Sequence, residues 1–253
     1  MSTRFPDKVV LVTGAGAGIG RATAVSFARE GAKVVVSGRR QEPLAETVKE
    51  VENAGGTATY VVADVSKEDD VTRTVKHAVD EYGRLDIAVN NAGVLAATGP
   101  VADIDVQDWD YLFDVNVKGV LLSMQQEIRQ MKTQGGGVIV NLSSVLGPHI
   151  RVPGTGAYGA SKAAVSALSR AAAREYIRDG IRINAVSPAS ADTTMSLRPG
   201  EDDAARAKRV EETSPLGRIG TLDEVSGTIL WLASDEAGFA VGQDLVIDGG
   251  ASA

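Results

Sequence analysis

An α/β, doubly wound three-layer fold with a mostly parallel seven-stranded sheet is what this 253-residue sequence predicts. Three observations point there. Short, almost unbroken apolar runs rich in β-branched residues alternate with helical stretches along the chain, as strands covered on both faces require. The first run ends in a glycine-rich turn that leads straight into a helix. No Pro/Ser-rich linker breaks the rhythm, so residues 1–253 read as a single domain. A TIM barrel shares the rhythm, but it wants an eighth strand and leaves the first turn unexplained.

The elements follow in order. "KVVLVTG" (8–14) is the first strand, and a helix from Gly20 through "RATAVSFAREG" is closed by Gly31 at a C-cap position. "KVVVSG" (33–38) is the second strand, followed by a polar helix over about 42–54 that stops at Gly55-Gly56. "ATYVVADV" (58–65) is strand-like, "KEDDVTRTVKHAVDEYG" is helical and ends in glycine, and "LDIAVNNAG" (85–93) is the fourth strand. One long helix is predicted over about 106–132, stopped by Gly135-Gly136-Gly137. "VIVNLSS" (138–144), the helix "AYGASKAAVSALSRAAAREYIRDG" and "IRINAVSPA" (181–189) repeat the pattern. A polar stretch over about 190–215, a helix near 221–233 and the strand "DLVIDGG" (244–250) complete it.

The composition excludes several chemistries. With 43% hydrophobic and 23% charged residues, the chain is an ordinary soluble one. It has no cysteine, which removes disulfides, thiolate metal sites and cysteine nucleophiles. With only His77 and His149, no metal centre is expected. A net charge of −7 disfavours a basic nucleic-acid binder. The opening "MSTRFPDKVVLVTG" has no long apolar core, and no apolar run reaches the roughly 18 residues of a membrane helix. A cytoplasmic protein with neither a nucleic-acid nor a membrane partner is expected.

In the first turn, "TGAGAGIGR" (13–21), the spacing G-x-G-x-x-G fails, because its third glycine falls on Ile19 or Arg21. The spacing G-x-x-x-G-x-G fits, at Gly14, Gly18 and Gly20. Glycines there allow a tight turn and let a phosphate approach the backbone, while the helix start offers free N–H groups and its positive dipole end. This reads as a Rossmann-type dinucleotide site, with a ligand-free loop as the plain alternative. There is no G-K-[ST], which disfavours a P-loop NTPase. The second strand ends "SGRR", with no carboxylate before Glu42 to hold a ribose 2′-OH. A guanidinium suits a 2′-phosphate, so Arg39 favours NADP(H), with NAD(H) the alternative.

Tyr158 and Lys162 stand four apart on a helix and face the same way. A nearby ammonium favours the phenolate, lowering a phenol from its usual pKa near 10 toward working pH. Tyr158 then reads as a proton acceptor from an alcohol, or a donor to a carbonyl. The spacing alone is a weak signal. Its neighbours strengthen it: "NLSS" (141–144) and "NNAG" (90–93) end strands at the same carboxyl edge, where open α/β sheets bind ligands.

"TGAGAGIG", "ADV" (63–65), "NNAG", "VNVKG" (115–119), "NLSS" and "YGASK" occur in an order and spacing that resemble the short-chain dehydrogenase/reductase family over about residues 7–250. The resemblance implies Tyr158 as catalytic acid/base and Lys162 as the residue that lowers its pKa and bonds the nicotinamide ribose. It implies Ser144 as the group polarising the substrate oxygen and Asn116 as the holder of a water in a proton relay. It places Gly14, Gly18, Ile19 and Gly20 at the cofactor, Asp64 and Val65 at the adenine, and Asn91, Ala92 and Gly93 along the adenosine ribose. Thr193 would meet the carboxamide or phosphates, with Pro188 and Ala191 beside the nicotinamide. Gly38-Arg39 resembles the NADP-preferring form, and the family's habit implies a homotetramer. Departures are Pro188-Ala189 for the usual Pro-Gly, Ala191 for the usual Ile, and Ala17 where NADP-preferring members often carry a base. Ser144 precedes Tyr158 by 14 residues instead of 13, which leaves Ser143 as the fallback serine.

The expected function is reversible NAD(P)-dependent hydride transfer between a secondary alcohol and a ketone, in one dinucleotide-binding and catalytic domain. The rivals are a dinucleotide sensor or scaffold without turnover, and an S-adenosylmethionine methyltransferase. His149 and Arg151 follow the serine, where either substrate recognition or a solvated loop fits. His77 reads as surface, Trp109 and Trp231 as packing, and residues 201–209 as a solvated helix face where the family has a mobile lid. Substrate identity is expected to lie in residues 94–99, 145–156 and 190–215.

Overall fold

The structure, a computed structural model, describes residues 3–198 and 200–253. In chain order its elements are β1 (Val9–Thr13), α1 (Gly18–Arg29), β2 (Lys33–Gly38), α2 (Gln41–Asn53), β3 (Thr57–Val62), α3 (Glu68–Tyr82) and β4 (Ile87–Asn90). There follow α4 (Val106–Phe113), α5 (Gly119–Thr133), β5 (Gly137–Leu142), α6 (Gly156–Tyr176), β6 (Ile181–Pro188), α7 (Asp203–Thr213), α8 (Leu222–Ala233) and β7 (Asp244–Ile247). The strands form one open seven-stranded sheet in the order β3-β2-β1-β4-β5-β6-β7, which excludes a barrel. Each neighbouring pair is parallel, so the sheet is parallel throughout, not merely for the most part.

The unbroken apolar runs have a direct cause. Successive strand residues point to opposite faces, and both faces are covered. Val10 and Val12 pack in one core cluster with Phe27 of α1, Leu44 of α2 and Ile229 of α8. Val9 and Leu11 pack in another with Ala78 of α3, Met131 of α5 and Val165 of α6. Burying one such large side chain is worth roughly 1.5–3 kcal/mol, so Val9–Val12 are all apolar and the only buried polar residue of β1, Thr13, has its hydroxyl hydrogen-bonded.

The predicted helix over 106–132 is interrupted. Between α4 and α5, residues Asp114–Lys118 form a π-helical turn that carries the fully buried Asn116. Such single π turns favour functional sites. The stretch 201–209 is not simply a solvated face either, because Arg206 of α7 is buried. His77 is half-buried, with its ring 3.3 Å from Thr59 Oγ1. Trp109 packs as expected, stacked on Phe113 at 4.2 Å between ring centres, but Trp231 stands 39% exposed on α8.

Topology positions the site. From β1 the chain crosses to β2 and β3 on one side, then returns to β4 on the other. The carboxyl ends of β1 and β4 therefore flank the switch point where doubly wound sheets leave a crevice.

Candidate active site

At this switch point lies a cleft of about 230 Å³, lined among others by Gly14, Arg39, Arg40, Asp64, Val65, Ala92 and Gly93. Gly14 turns with φ +65°, and a Cβ added there would fall 2.8 Å from Ala92 Cα. A Cβ on Gly20 would press against the Gly14 carbonyl and the Asn91 amide. Asn91 is used for this turn: its Nδ2 donates to the Thr13 and Gly14 carbonyls at 2.9 and 3.1 Å. The backbone N–H groups of Asn91 and Ala92 both donate to Thr13 Oγ1 at 3.1 Å. Ala92 and Gly93 thus line the cleft, while the Asn91 side chain braces the glycine turn beside it.

α1 starts at Gly18 with no side chain capping it among the described residues. Its first N–H groups are therefore left for a ligand. Bare backbone at Gly14 and Gly20, uncapped donors and two arginines at the rim together suit the pyrophosphate of a dinucleotide. Ile19 packs toward the core beneath this turn. Asp64 takes hydrogen bonds from the Ser66 N–H and hydroxyl at 3.0 and 2.8 Å, which orients it at the cleft wall. Its own N–H donates to Asp70, holding that carboxyl below its usual range. Arg39 donates to the Tyr111 hydroxyl at 3.1 Å.

The segment after β6 closes the other side. The Pro188 carbonyl accepts from Val145 N–H at 3.1 Å. Ala191 is buried and bridges to Gly220. A Cβ on Gly18 would lie 3.0 Å from Thr193 Cγ2, so this loop rests on the glycine turn. Arg206 fastens it, donating to the Thr193 carbonyl at 3.0 Å and to Asp192 at 2.6 Å.

Ser144, Tyr158, Lys162 and Asn116 are all buried near the same strand ends. Lys162 Nζ lies 5.8 Å from the Tyr158 ring centre and donates to the Leu142 carbonyl at 2.8 Å. Burial pushes the phenol up to about 12, opposed by the Ser144 hydroxyl, and pushes Lys162 down to about 8. The sequence expectation that the ammonium draws the phenol toward neutrality is therefore reversed in the polypeptide itself. Desolvation penalises both charged forms, and the ammonium is bonded elsewhere. Lys162 has three N–H donors and one acceptor among the described residues, so it keeps donors for a bound hydroxyl.

Asn116 accepts from Val94 N–H at 2.8 Å and donates to the Val94 carbonyl at 3.0 Å and Ser161 Oγ at 3.1 Å. A Cβ on Gly93 would lie 3.4 Å from Asn116 Oδ1 and 3.5 Å from Lys162 Nζ, so these groups converge. Ser143, the fallback serine, is turned into α6, with its Oγ 3.0 Å from the Lys162 carbonyl and 2.8 Å from Ser166 Oγ. Ser144 Oγ accepts from Leu146 N–H at 3.1 Å, and its hydroxyl faces the Tyr158 phenol, whose pKa it lowers. Thr13, Tyr111 and Arg206 carry no sequence signal that singles them out, because their partners are distant in the chain.

A family model described as enoyl-(acyl carrier protein) reductase matches residues 14–252. A short-chain type dehydrogenase/reductase from Mycobacterium ulcerans superposes with a TM-score of 0.92 at 33% identity, over 98% of this chain and 90% of that one. The chain belongs to the short-chain dehydrogenase/reductase family. Its relatives include an uncharacterized oxidoreductase of Thermotoga maritima, 41% identical over 98% of this chain and 99% of the relative. A cis-4-hydroxycyclohexanecarboxylate dehydrogenase of Sinomonas cyclohexanicum is 39% identical over the full length of both chains. This short-chain dehydrogenase/reductase is an oxidoreductase of the alcohol–ketone interconversion, working with a nicotinamide dinucleotide. No helix among its described residues is long and apolar enough to cross a membrane.

Proposed function

We propose that Tyr158 is the acid/base of this enzyme, that NADP(H) is its preferred cofactor, and that its substrate is a ring-borne secondary alcohol or the matching ketone. The observation that carries the reading is the convergence of buried Ser144, Tyr158 and Lys162 beside a cleft rimmed by Arg39. When bound, the nicotinamide accepts or supplies the hydride. Gly14, Gly18 and Gly20 with the α1 start hold the pyrophosphate, Asp64 and Val65 the adenine, and Asn91, Ala92 and Gly93 the adenosine ribose. Arg39 pairs with the 2′-phosphate. Pro188, Ala191 and Thr193 border the nicotinamide, and Lys162 donates to its ribose.

Ser144 donates to the substrate oxygen. A phenol that holds its proton at neutral pH suits donation to a carbonyl in reduction. In oxidation Tyr158 takes the alcohol proton, with the Lys162 charge favouring the phenolate. Asn116, beside Lys162, passes the proton outward through water.

The substrate class rests on two supports. Apart from Ser144 and Lys162, apolar side chains pack with Tyr158, among them Val94, Ala97, Leu112 and Leu146. Relatives named for cyclohexanol and cyclopentanol accompany the one reported above. The test is cofactor reduction with cyclohexanol, cyclopentanol and a linear polyol, each with NAD⁺ and NADP⁺. Turnover of a cyclic alcohol with NADP⁺ is expected; turnover of the polyol alone, or only with NAD⁺, overturns the finer reading. Residues 1–253 act as one catalytic unit, as a homotetramer in the cytoplasm. The edge position of β7 and the fully exposed Phe239, in the segment that leads into it, suit coverage by a second copy, and light scattering reads the assembly.

A further inference from the structure

β7 begins with Asp244, whose carboxylate is 1% exposed. A buried carboxylate is costly unless donors surround it. Here they come from three other elements. Ser187 of β6 donates to Oδ1, and Ser166 of α6 donates to Oδ2 at 2.7 Å. His149, in the loop after Ser144, places Nε2 3.1 Å from Oδ2. The nearest guanidinium, Arg170 of α6, is 3.8 Å away and half exposed. A carboxylate only accepts, so His149 Nε2 carries a proton.

We propose that His149 is a positioning residue: through Asp244 it fastens the loop that follows Ser144 to β7, and so shapes the substrate side of the active site. The proposal rests on the reading of Ser144, Tyr158 and Lys162 given above. His149 does not reach out for substrate, one of the two roles the sequence left open. The loop folds back on itself, with Gly147 N–H to the Ile150 carbonyl and Ile150 N–H to the Val145 carbonyl, both at 2.8 Å. Leu146 in this loop touches the chemistry twice: its N–H donates to Ser144 Oγ, and its side chain packs in the cluster around Tyr158.

The same carboxylate reaches the site from behind. Ser166 gives its proton to Asp244, so Ser143 is left to donate to Ser166 or to the Lys162 carbonyl. Asp244 thereby holds the loop of Ser144 and the helix of Tyr158 and Lys162 to one point.

The test uses the full chain with His149→Leu, His149→Gln, Asp244→Asn and the double variant His149→Leu/Asp244→Asn. Glutamine restores a donor at the right reach and leucine does not. In His149→Leu, amide hydrogen exchange of residues 145–152 is expected to speed up, while the cofactor dissociation constant stays unchanged. KM for the best cyclic alcohol is expected to rise about tenfold, the scale of one lost hydrogen bond to a charged group. His149→Gln recovers both, and the double variant is expected to fall short of the sum of the two single effects, because both singles remove the same contact; strict additivity overturns the proposal. Unchanged exchange in His149→Leu, or no recovery with glutamine, overturns the proposal, and neither result depends on whether Asp244→Asn folds. A Ser144→Ala control that kept full activity would instead remove the active-site reading, while the exchange data still decide whether His149 holds the loop.

Discussion

Lys162 stands 5.8 Å from the centre of the Tyr158 ring yet gives its hydrogen bond to the Leu142 carbonyl, so the helix brings ammonium and phenol together without joining them. Burial then acts on the two in opposite senses, raising the phenol to about 12 and lowering the ammonium to about 8. At neutral pH the pair is a protonated phenol beside a charged amine. We expect Tyr158→Phe to keep cofactor binding, read by fluorescence titration, and to lose about 10²–10⁴ in kcat/KM, the usual worth of a positioned acid/base. Retention of more than about a tenth of the activity removes Tyr158 from that role.

Arg39 lines the cleft and is steadied by Tyr111, and among the described residues the rest of its guanidinium fork has no other partner and can meet a phosphate. Arg39→Asp is expected to weaken NADP(H) far more than NAD(H), because a carboxylate repels the 2′-phosphate and suits a ribose 2′-OH. The ratio of kcat/KM for the two cofactors checks this, and an unchanged ratio discards the assignment.

Gly20 sits where an added methyl meets the Gly14 carbonyl and the Asn91 amide. Gly20→Ala must push the turn out of place, at a cost of about 1–3 kcal/mol for overpacking. Both the thermal midpoint and cofactor affinity should fall. Loss of stability without loss of affinity would mean that the turn does not hold the dinucleotide.

Glu127 lies fully buried beneath the site, taking a hydrogen bond from Asn90 at 2.9 Å, with burial pushing its carboxyl up to about 8. From the ordinary carboxyl value of 4.5 up to about 8 the folded protein keeps a proton that the unfolded chain releases. Stability from this group is therefore full below that window and falls as pH rises through it, by at most about 1.4 kcal/mol per pH unit. Glu127→Gln removes the slope. Urea unfolding of both proteins across the window checks the sign, and a constant difference between them contradicts a buried neutral acid.

How much of this was readable in advance depends on range. The strands at 33–38 and 181–189 were legible because apolar runs and glycine stops are local signals, and the structure returns Lys33–Gly38 and Ile181–Pro188. The glycine spacing at 14, 18 and 20 and the Tyr158–Lys162 pair are local too. The π turn at Asp114–Lys118 was not legible, since it arises where Asn116 reaches across to the Val94 backbone. Nor was the brace that Asn91 gives the glycine turn, 77 residues away in the chain.

The sequence by itself determined the order of strands, the glycine-rich first turn and which side chains are candidates for the chemistry, because periodicity, glycine placement and helical spacing act within a few residues. Only the tertiary structure decided how those side chains behave. Burial set the protonation of Tyr158, Lys162 and Glu127, and contacts as distant as His149 with Asp244, 95 residues apart, set where the loops lie. Desolvation and long-range pairing belong to the packed molecule, and no local pattern encodes them.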